Sequence, residues 1–417
     1  MADLSTTKLD HVVEILRRRA VVEADHPAYT FLLKGERPVR TLTFQALDRR
    51  ARAIASILRS HAKDQQRALM IYSSGLEFIE ALWACFYARL IAVPSSLPVN
   101  NVHSFSRLQA IATDCSPQMI LCAQQHVEEL QANFSSTQEN VPVIATDDVP
   151  DEHAQDWKDV EIQPADIALL QYSSGSTALP KGIMVLHGNI VADQKMIKEA
   201  CRHTEASTFV GWLPFFHDMG LFGNIIQPLF IGAHSVLMSP LAFLQKPFRW
   251  LKAITDYKAH TSGGPNFGYE YCVKRIREQE KVQLNLSSWN IAFNGAEKPR
   301  LETMKRFTAA FAQCGFKEST FYPCYGLAEA VLFVSGRNRA DGSLVSEAAP
   351  ATPPHVENRS ADALRSGGHG EWSEATKSIF PSSSAFHSPS RLRASRIGGA
   401  HLSAAPCRAS SAASNVR

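Results

Sequence analysis

Residues Asp166 to Gly182 gather several chemistry-capable side chains on one loop. An apolar stretch ending at Gln171-Tyr172 runs into Ser173, Ser174, Gly175, Ser176 and Thr177. It continues through Ala178-Leu179-Pro180 and closes on Lys181-Gly182. Small residues let backbone N–H groups converge on phosphate oxygens. Hydroxyls add hydrogen bonds, and a lysine adds a point charge. The arrangement therefore suits phosphate binding. It is not a Walker loop, because the G-x-x-x-x-G-K-S/T spacing is absent. A bare S-S-G-S-T could equally be a plain connection between strands; the Pro180-Lys181-Gly182 ending favours the phosphate reading.

With that ending the segment resembles the phosphate loop of the adenylate-forming (acyl-activating, AMP-binding) superfamily, S-S-G-S-T-G-x-P-K-G. Five more blocks follow in that family's order: Gly211 to Asn224 (GWLPFFHDMGLFGN), Met238 to Pro247 (MSPLAFLQKP), Thr261 to Phe267 (TSGGPNF), Phe293 to Glu297 (FNGAE) and Phe321 to Ala330 (FYPCYGLAEA). Within the superfamily they are most similar to the fatty acyl-AMP ligases. Ala328 agrees with this, since that subgroup commonly has Ala where others have Thr. The resemblance covers roughly residues 10–336.

The resemblance implies an α/β fold, the acyl-activating N-terminal domain with two β-sheet subdomains flanked by helices, over residues 1–336. It implies ATP- and Mg²⁺-dependent activation of a fatty acid to an acyl-adenylate. Transfer to an acyl carrier protein or polyketide synthase would follow. Ser173, Ser174, Gly175, Ser176, Thr177 and Lys181 would hold phosphates. The turn Asn294, Gly295, Ala296 and Glu297, with Tyr325, Gly326, Leu327 and Ala328, would receive the nucleotide. Thr177 and Glu329 would hold the metal; Lys181, His217 and Glu329 would be catalytic. His217, Asp218, Met219, Gly264 and Phe267 would meet the acyl group.

These assignments have physical sense. Activation needs in-line attack on the α-phosphate, so catalysis is mostly positioning and neutralisation of charge. Tyr325 offers a flat face for adenine, and the small-residue turn lets backbone approach a nucleobase. Glu329 is an oxygen ligand of the kind Mg²⁺ takes. A carboxylate is already ionised at pH 7, so His217 is needed for orientation rather than as a base. Met219, Phe222, Ile225, Phe267 and Tyr269 could line an acyl channel or simply pack in a core.

Elements must position these loops. Phe44, Leu47, Ala51, Ile54 and Leu58 recur at steps of three and four, which predicts a helix over 44–58. Further helices are expected at 9–19, 76–86, 104–114, 188–200, 265–278 and 299–313. Pro299 would sit in the first turn of the last one and Gly315 would end it. Its apolar face would be Leu301, Met304, Phe307, Ala310 and Phe311. Strands are expected at 68–72, 90–94, 118–122, 142–146, 166–172, 208–213 and 289–293. Such alternation implies largely parallel sheets.

Composition sets the frame for these readings. The 417 residues are 45% hydrophobic and 20% charged, the balance of a soluble globular protein. No long apolar run suggests a transmembrane segment and no leader pattern suggests secretion, so a cytoplasmic protein is expected. Eight cysteines occur singly, without C-x-x-C pairs, which argues against zinc or a disulfide framework.

Residues 337–417 differ in kind. They hold 16 serines, 10 Lys+Arg and 6 Asp+Glu, with no acid after Glu374. Leu, Ile, Val and Phe are sparse, so a non-homologous, disordered, basic Ser/Ala-rich tail is expected. It reads either as out-of-frame translation or as a basic arm. Its scattered cations make a weak footprint for nucleic acid or membrane, and neither partner is expected.

Two more departures bear on activity. Ala178 replaces a loop glycine, which strains the loop if that position needs positive φ. The small barrel-like subdomain, the T-G-D block and the mobile C-terminal domain of the family are not found, so the chain reads as C-terminally truncated. A catalytically inactive remnant that binds fatty acid or nucleotide is the alternative. Carrier protein and coenzyme A stay undecided as acceptors.

Overall fold

In the computed structural model, residues 10–98, 102–134, 141–173, 180–337 and 344–346 are described. The helix Phe44–His61 forms as its spacing predicts. The Thr43 hydroxyl caps it, accepting the Ala46 N–H at 3.1 Å. Its predicted apolar face, Phe44, Leu47, Ala51, Ile54 and Leu58, is fully buried.

The helix Leu76–Tyr87 is apolar on nearly every side, and so needs cover on every side. It finds that cover between two sheets. It touches the strands Arg67–Tyr72 and Ile91–Ser96 of one and Pro27–Leu33 of the other. Its buried acid, Glu80, meets Arg40, and Arg50 at 3.8 Å. Burial pushes the Glu80 carboxyl above its usual range, against the pull of both arginines.

The six-stranded sheet runs Val143–Ala145, Met119–Cys122, Arg67–Tyr72, Ile91–Ser96, Ile167–Ser173, Lys181–Leu186. The nine-stranded sheet runs Leu344–Ser346, Phe333–Arg337, Phe321–Gly326, Ile291–Asn294, Thr261–Gly264, Phe209–Gly211, Ser235–Leu237, Pro27–Leu33, Arg37–Thr43. Both are mixed. Their middles are parallel, as the alternation predicts; antiparallel pairs close both edges of the nine-stranded sheet and the Lys181–Leu186 edge of the other, whose Val143–Ala145 edge is parallel. Sequence periodicity passed over these edge hairpins.

Helix boundaries differ in instructive ways. The expected helix 299–313 is Leu301–Phe311, with Arg300 as N-cap, so Pro299 lies outside it. Leu301 is exposed, and Thr303 takes its place on the buried face. The Thr303 hydroxyl donates to Glu270 Oε1 at 2.6 Å, which explains how a polar residue is tolerated there. Gly315 ends the segment at φ +86°, where a side chain would be strained. Among the described residues no helix is long and apolar enough to cross a membrane.

Candidate active site

The segment expected to bind phosphates is flanked by two antiparallel strands. Ile167–Ser173 pairs antiparallel with Lys181–Leu186, and Ser173 faces Lys181 at its end. Ser174, Gly175, Ser176, Thr177 and Ala178 lie outside the described residues. Lys181 is exposed where the second strand begins. Tyr172 faces Gly182 across the pair, and a Cβ on Gly182 would come within 2.9 Å of its ring, so only glycine leaves that ring in place. The Tyr172 hydroxyl is bonded to Asp114 on the helix Val102–Cys115, anchoring the hairpin from behind.

The adjacent strand residue, Gln171, reaches the loop that leaves a strand of the other sheet. Its amide donates to the Phe216 carbonyl at 2.7 Å, one residue before His217. His217 Nδ1 lies 2.7 Å from Asp218 Oδ1, which also accepts the Met219 N–H at 2.6 Å. Burial alone would lower the His217 imidazole, but the Asp218 carboxylate overrides it and holds the imidazole above its usual value. Conversely, burial would raise Asp218, and His217 with the Met219 N–H holds it below the usual carboxylate range. The two groups therefore favour each other's charged forms, and the pair stands in the cavity wall.

After this turn the backbone winds more widely. The Gln227 N–H bonds to the Phe222 carbonyl, an i to i+5 step over Phe222–Ile226. Such wide turns collect at functional sites. This one turns Gly223 and Gln227 toward a cavity of about 200 Å³.

That cavity lies along the parallel strands of the nine-stranded sheet. Of the residues singled out from sequence, His217, Asp218, Met219, Gly295, Ala296, Tyr325 and Gly326 line it. They cluster at the carboxyl ends of the strands, where open α/β sheets bind ligands. Tyr325 is 60% exposed there, and marks the mouth.

Local backbone shapes this mouth. Asn266 knots the turn that follows the strand Ile291–Asn294. Its Oδ1 accepts from Asn294 Nδ2 at 3.1 Å and from the Arg300 N–H at 2.9 Å, and its Nδ2 donates to the Lys298 carbonyl at 2.9 Å. Glu297 Oε1 accepts the Asn266 N–H at 3.0 Å. Ala296, between them, has φ +65°. The Asn294 and Glu297 side chains thus hold the turn, with Gly295 buried and Ala296 exposed between them. On the far side, Val331 sits at φ +70°, ψ −66°, and the Leu332 N–H bonds back to the Ala330 carbonyl at 2.9 Å. A β-branched residue in this γ-turn is strained, as is common near active sites. The turn brings the Leu332 side chain into the cavity wall.

Other predicted residues stand outside that wall. Leu327 follows Gly326, its N–H bonded to the Leu332 carbonyl at 3.1 Å, and Ala328 is buried behind it. Gly264 and Phe267 surround Trp212: a Cβ on Gly264 would come within 2.7 Å of that indole, and Phe267 meets it edge-on. Phe222 and Ile225 pack in the main core, and Tyr269 in an aromatic cluster with Trp250, Trp289 and Phe307. Core packing is therefore the outcome for these three.

Glu329 is exposed near the mouth. Among the described residues no group of three or more His, Cys, Asp or Glu could hold a metal. A single open carboxylate fits Mg²⁺, which takes one or two carboxylates plus substrate phosphates, and does not fit an all-protein cage. Sequence reasoning missed the deep wall, where His203, Thr261 and Gln227 converge. No local pattern marks them.

The family model for AMP-binding enzymes matches residues 16–371. The medium-chain-fatty-acid–acyl-carrier-protein ligase JamA of Moorena producens is 39% identical over 347 residues, covering 82% of this chain and 59% of its own length. The fatty acid AMP ligase of Legionella pneumophila superposes with a TM-score of 0.77 at 41% identity, over 81% of this chain and 58% of that one. A fatty acyl-adenylate ligase of L. pneumophila, solved with acyl adenylate and pyrophosphate, gives 0.75 at 42% identity, over 79% of this chain and 57% of that one. The chain thus spans under two thirds of the length of these relatives. On this match, and on a fold of two mixed sheets shared with fatty acyl-AMP ligases, the chain belongs to the AMP-binding enzyme family.

Proposed function

We propose that this chain is the substrate-holding part of a fatty acyl-AMP ligase. One observation carries the reading: a mostly apolar cavity opens at the strand ends between the His217–Asp218 pair and the exposed Tyr325, beside the hairpin expected to hold phosphates. A fatty acid would place its tail inside and its carboxylate at His217. Relatives named for fatty-acid ligation, and one solved with acyl adenylate, support it.

In the proposed reaction the ionised carboxylate oxygen attacks the α-phosphorus of ATP. The bond to the bridging oxygen breaks, and pyrophosphate leaves with that electron pair. His217, paired with Asp218, orients the carboxylate for in-line attack. Ser173 to Thr177 and Lys181 cradle the phosphates and offset developing charge. The Asn294–Glu297 turn and Tyr325 to Ala328 receive the nucleotide, chiefly by backbone and ring face. Glu329, with Thr177, would hold Mg²⁺, which supplies charge neutralisation at the phosphates when bound. Met219 begins the acyl channel; Gly264 and Phe267 support it through Trp212.

The acceptor is proposed to be an acyl carrier protein, as the name of JamA suggests, or a polyketide synthase. Composition supports a boundary near residue 336 before the Ser-rich segment, although the family match runs to residue 371 and Leu344–Ser346 still pairs with Phe333–Arg337. The singly spaced cysteines of the sequence support a reducing, cytoplasmic setting.

The test is adenylate formation by the full chain, read as fatty-acid-dependent pyrophosphate release with acyl-AMP detected by mass. Fatty-acid-dependent release is expected. Fatty acid binding without any acyl-AMP, from any chain length, would leave a binding protein and overturn the ligase reading. Offering carrier protein and coenzyme A to the same mixture would separate the acceptors.

A further inference from the structure

Where the strands begin, away from Tyr325, the cavity wall sets polar side chains beside the apolar Phe209 and Ile291. His203, Gln227 and Thr261 are all buried at this end, where strands Phe209–Gly211, Thr261–Gly264 and Ile291–Asn294 begin. Thr261 pairs with both Phe209 and Ile291 in the sheet, so this end is fixed by three strands at once. The three side chains come from a helix end, a wide backbone turn and a strand.

They form a closed network. His203 Nε2 lies 3.0 Å from the Thr261 hydroxyl, which lies 2.9 Å from His260 Nδ1. His203 Nδ1 lies 3.3 Å from the Gln227 amide. Turned to satisfy its neighbours, that amide donates to the Gln194 carbonyl at 3.1 Å and to Gln194 Oε1 at 2.7 Å, and accepts the Lys198 N–H. Gln194 in turn donates to Asp193 at 2.7 Å, and Asp193 accepts the N–H of Phe333, itself in the cavity wall, at 2.8 Å. The His203 ring also rests edge-on against Phe209 at 4.9 Å. Burial, helped by His260, holds the His203 imidazole down at about 3, so it is neutral and its two nitrogens have distinct partners.

This end differs from an apolar one. Leucine or methionine can repack around an extra methylene. His203 cannot move aside without leaving buried donors and acceptors unpaired, and that costs more than burying one more methylene returns. Resting on the ligase reading above, we propose that His203 is the chain-length stop of the acyl cavity. It limits the site to medium-length saturated acyl chains. From Thr261 to the strand end at Gly264 is three residue steps, roughly 10 Å at about 3.3 Å per residue. With carbon–carbon bonds of about 1.5 Å in zigzag, that depth takes roughly eight to ten carbons.

The test titrates saturated fatty acids of six to sixteen carbons into the full chain by calorimetry. It compares the wild type with His203→Ala, His203→Asn and His203→Gln, each checked for a cooperative melt. For the wild type, affinity is expected to rise to about eight to ten carbons and then fall at least tenfold. His203→Ala should move the optimum about two to four carbons longer and keep binding the shorter acids, and His203→Asn about one. His203→Gln, which refills the space and keeps a hydrogen-bonding end, should restore the wild-type optimum. A folded His203→Ala or His203→Asn with an unmoved optimum would overturn the stop. So would uniform weakening at every length, which is what a merely structural role gives. The readout is binding, so a ligase reading that fails for want of acyl-AMP leaves this result standing on its own. Absence of any fatty acid binding overturns both.

Discussion

Gln171 donates its side-chain amide to the backbone carbonyl of Phe216 at 2.7 Å, tying one sheet to the loop that leaves a strand of the other. Gln171 lies on the strand that feeds the hairpin proposed to cradle phosphates, and Phe216 immediately precedes His217. One hydrogen bond therefore couples the proposed phosphate cradle to the proposed carboxylate anchor.

Gln171→Met keeps the length of the side chain and removes the donor. Gln171 Oε1 is itself buried without a hydrogen-bond partner, so its loss offsets part of the cost. A net destabilisation of about 1 kcal/mol is expected in urea unfolding. The Michaelis constant should rise for both ATP and fatty acid, because the two halves of the site lose their common reference. A rise for one substrate alone would disconnect the bond from site geometry.

The His217–Asp218 pair makes stability depend on pH in a defined direction. His217 is raised above its ordinary 6.5, so its contribution is full below that pH and is lost as pH rises through the folded value. Asp218 is lowered below 3.8, so its contribution is present above that pH and is lost as pH falls through the folded value. Asp218→Asn should bring His217 down and remove the stability loss on the alkaline side of 6.5. Proton NMR titration of the His217 ring and unfolding between pH 5 and 9 would check both; an unmoved His217 midpoint contradicts the assignment.

Gly326→Ala tests the mouth. A Cβ there would come within 1.9 Å of the Leu332 carbonyl oxygen, so the strained turn at Val331 must shift. Overpacking of this kind costs about 1–3 kcal/mol. Thermal unfolding should show that loss, with weakened nucleotide binding because Tyr325 is displaced along with its neighbour. Wild-type stability would mean that the turn is more pliant than its geometry suggests.

Lys181 and Glu329 stand outside the cavity wall, and their variants should separate chemistry from acyl binding. Lys181→Met and Glu329→Gln are each expected to lower the adenylation rate by about 10²–10³, the usual loss for a group that stabilises developing charge. Fatty acid affinity measured by calorimetry should stay within twofold. Loss of fatty acid binding in either variant would place that residue at the acyl site instead.

The sequence by itself determined the family blocks, the buried faces of helices such as Phe44–His61, and the parallel character of the sheet centres. Those features depend on neighbours in the chain: a three-four spacing, a capping Thr43, a small-residue turn after a strand. It also brought most of the mouth to notice, because His217, Asp218, Ala296 and Tyr325 lie in compact motifs. Tertiary structure alone decided the rest. Gly264 and Phe267, inside one such motif, turn to Trp212 because that indole needs cover. Thr303 replaces Leu301 on a buried face because Glu270 is there to accept a hydrogen bond from its hydroxyl. His203, Gln227 and Thr261 meet where the strands begin although they are far apart in sequence. A buried polar residue is tolerated only where its partners converge, and that convergence comes from how strands and helices pack, not from any local pattern.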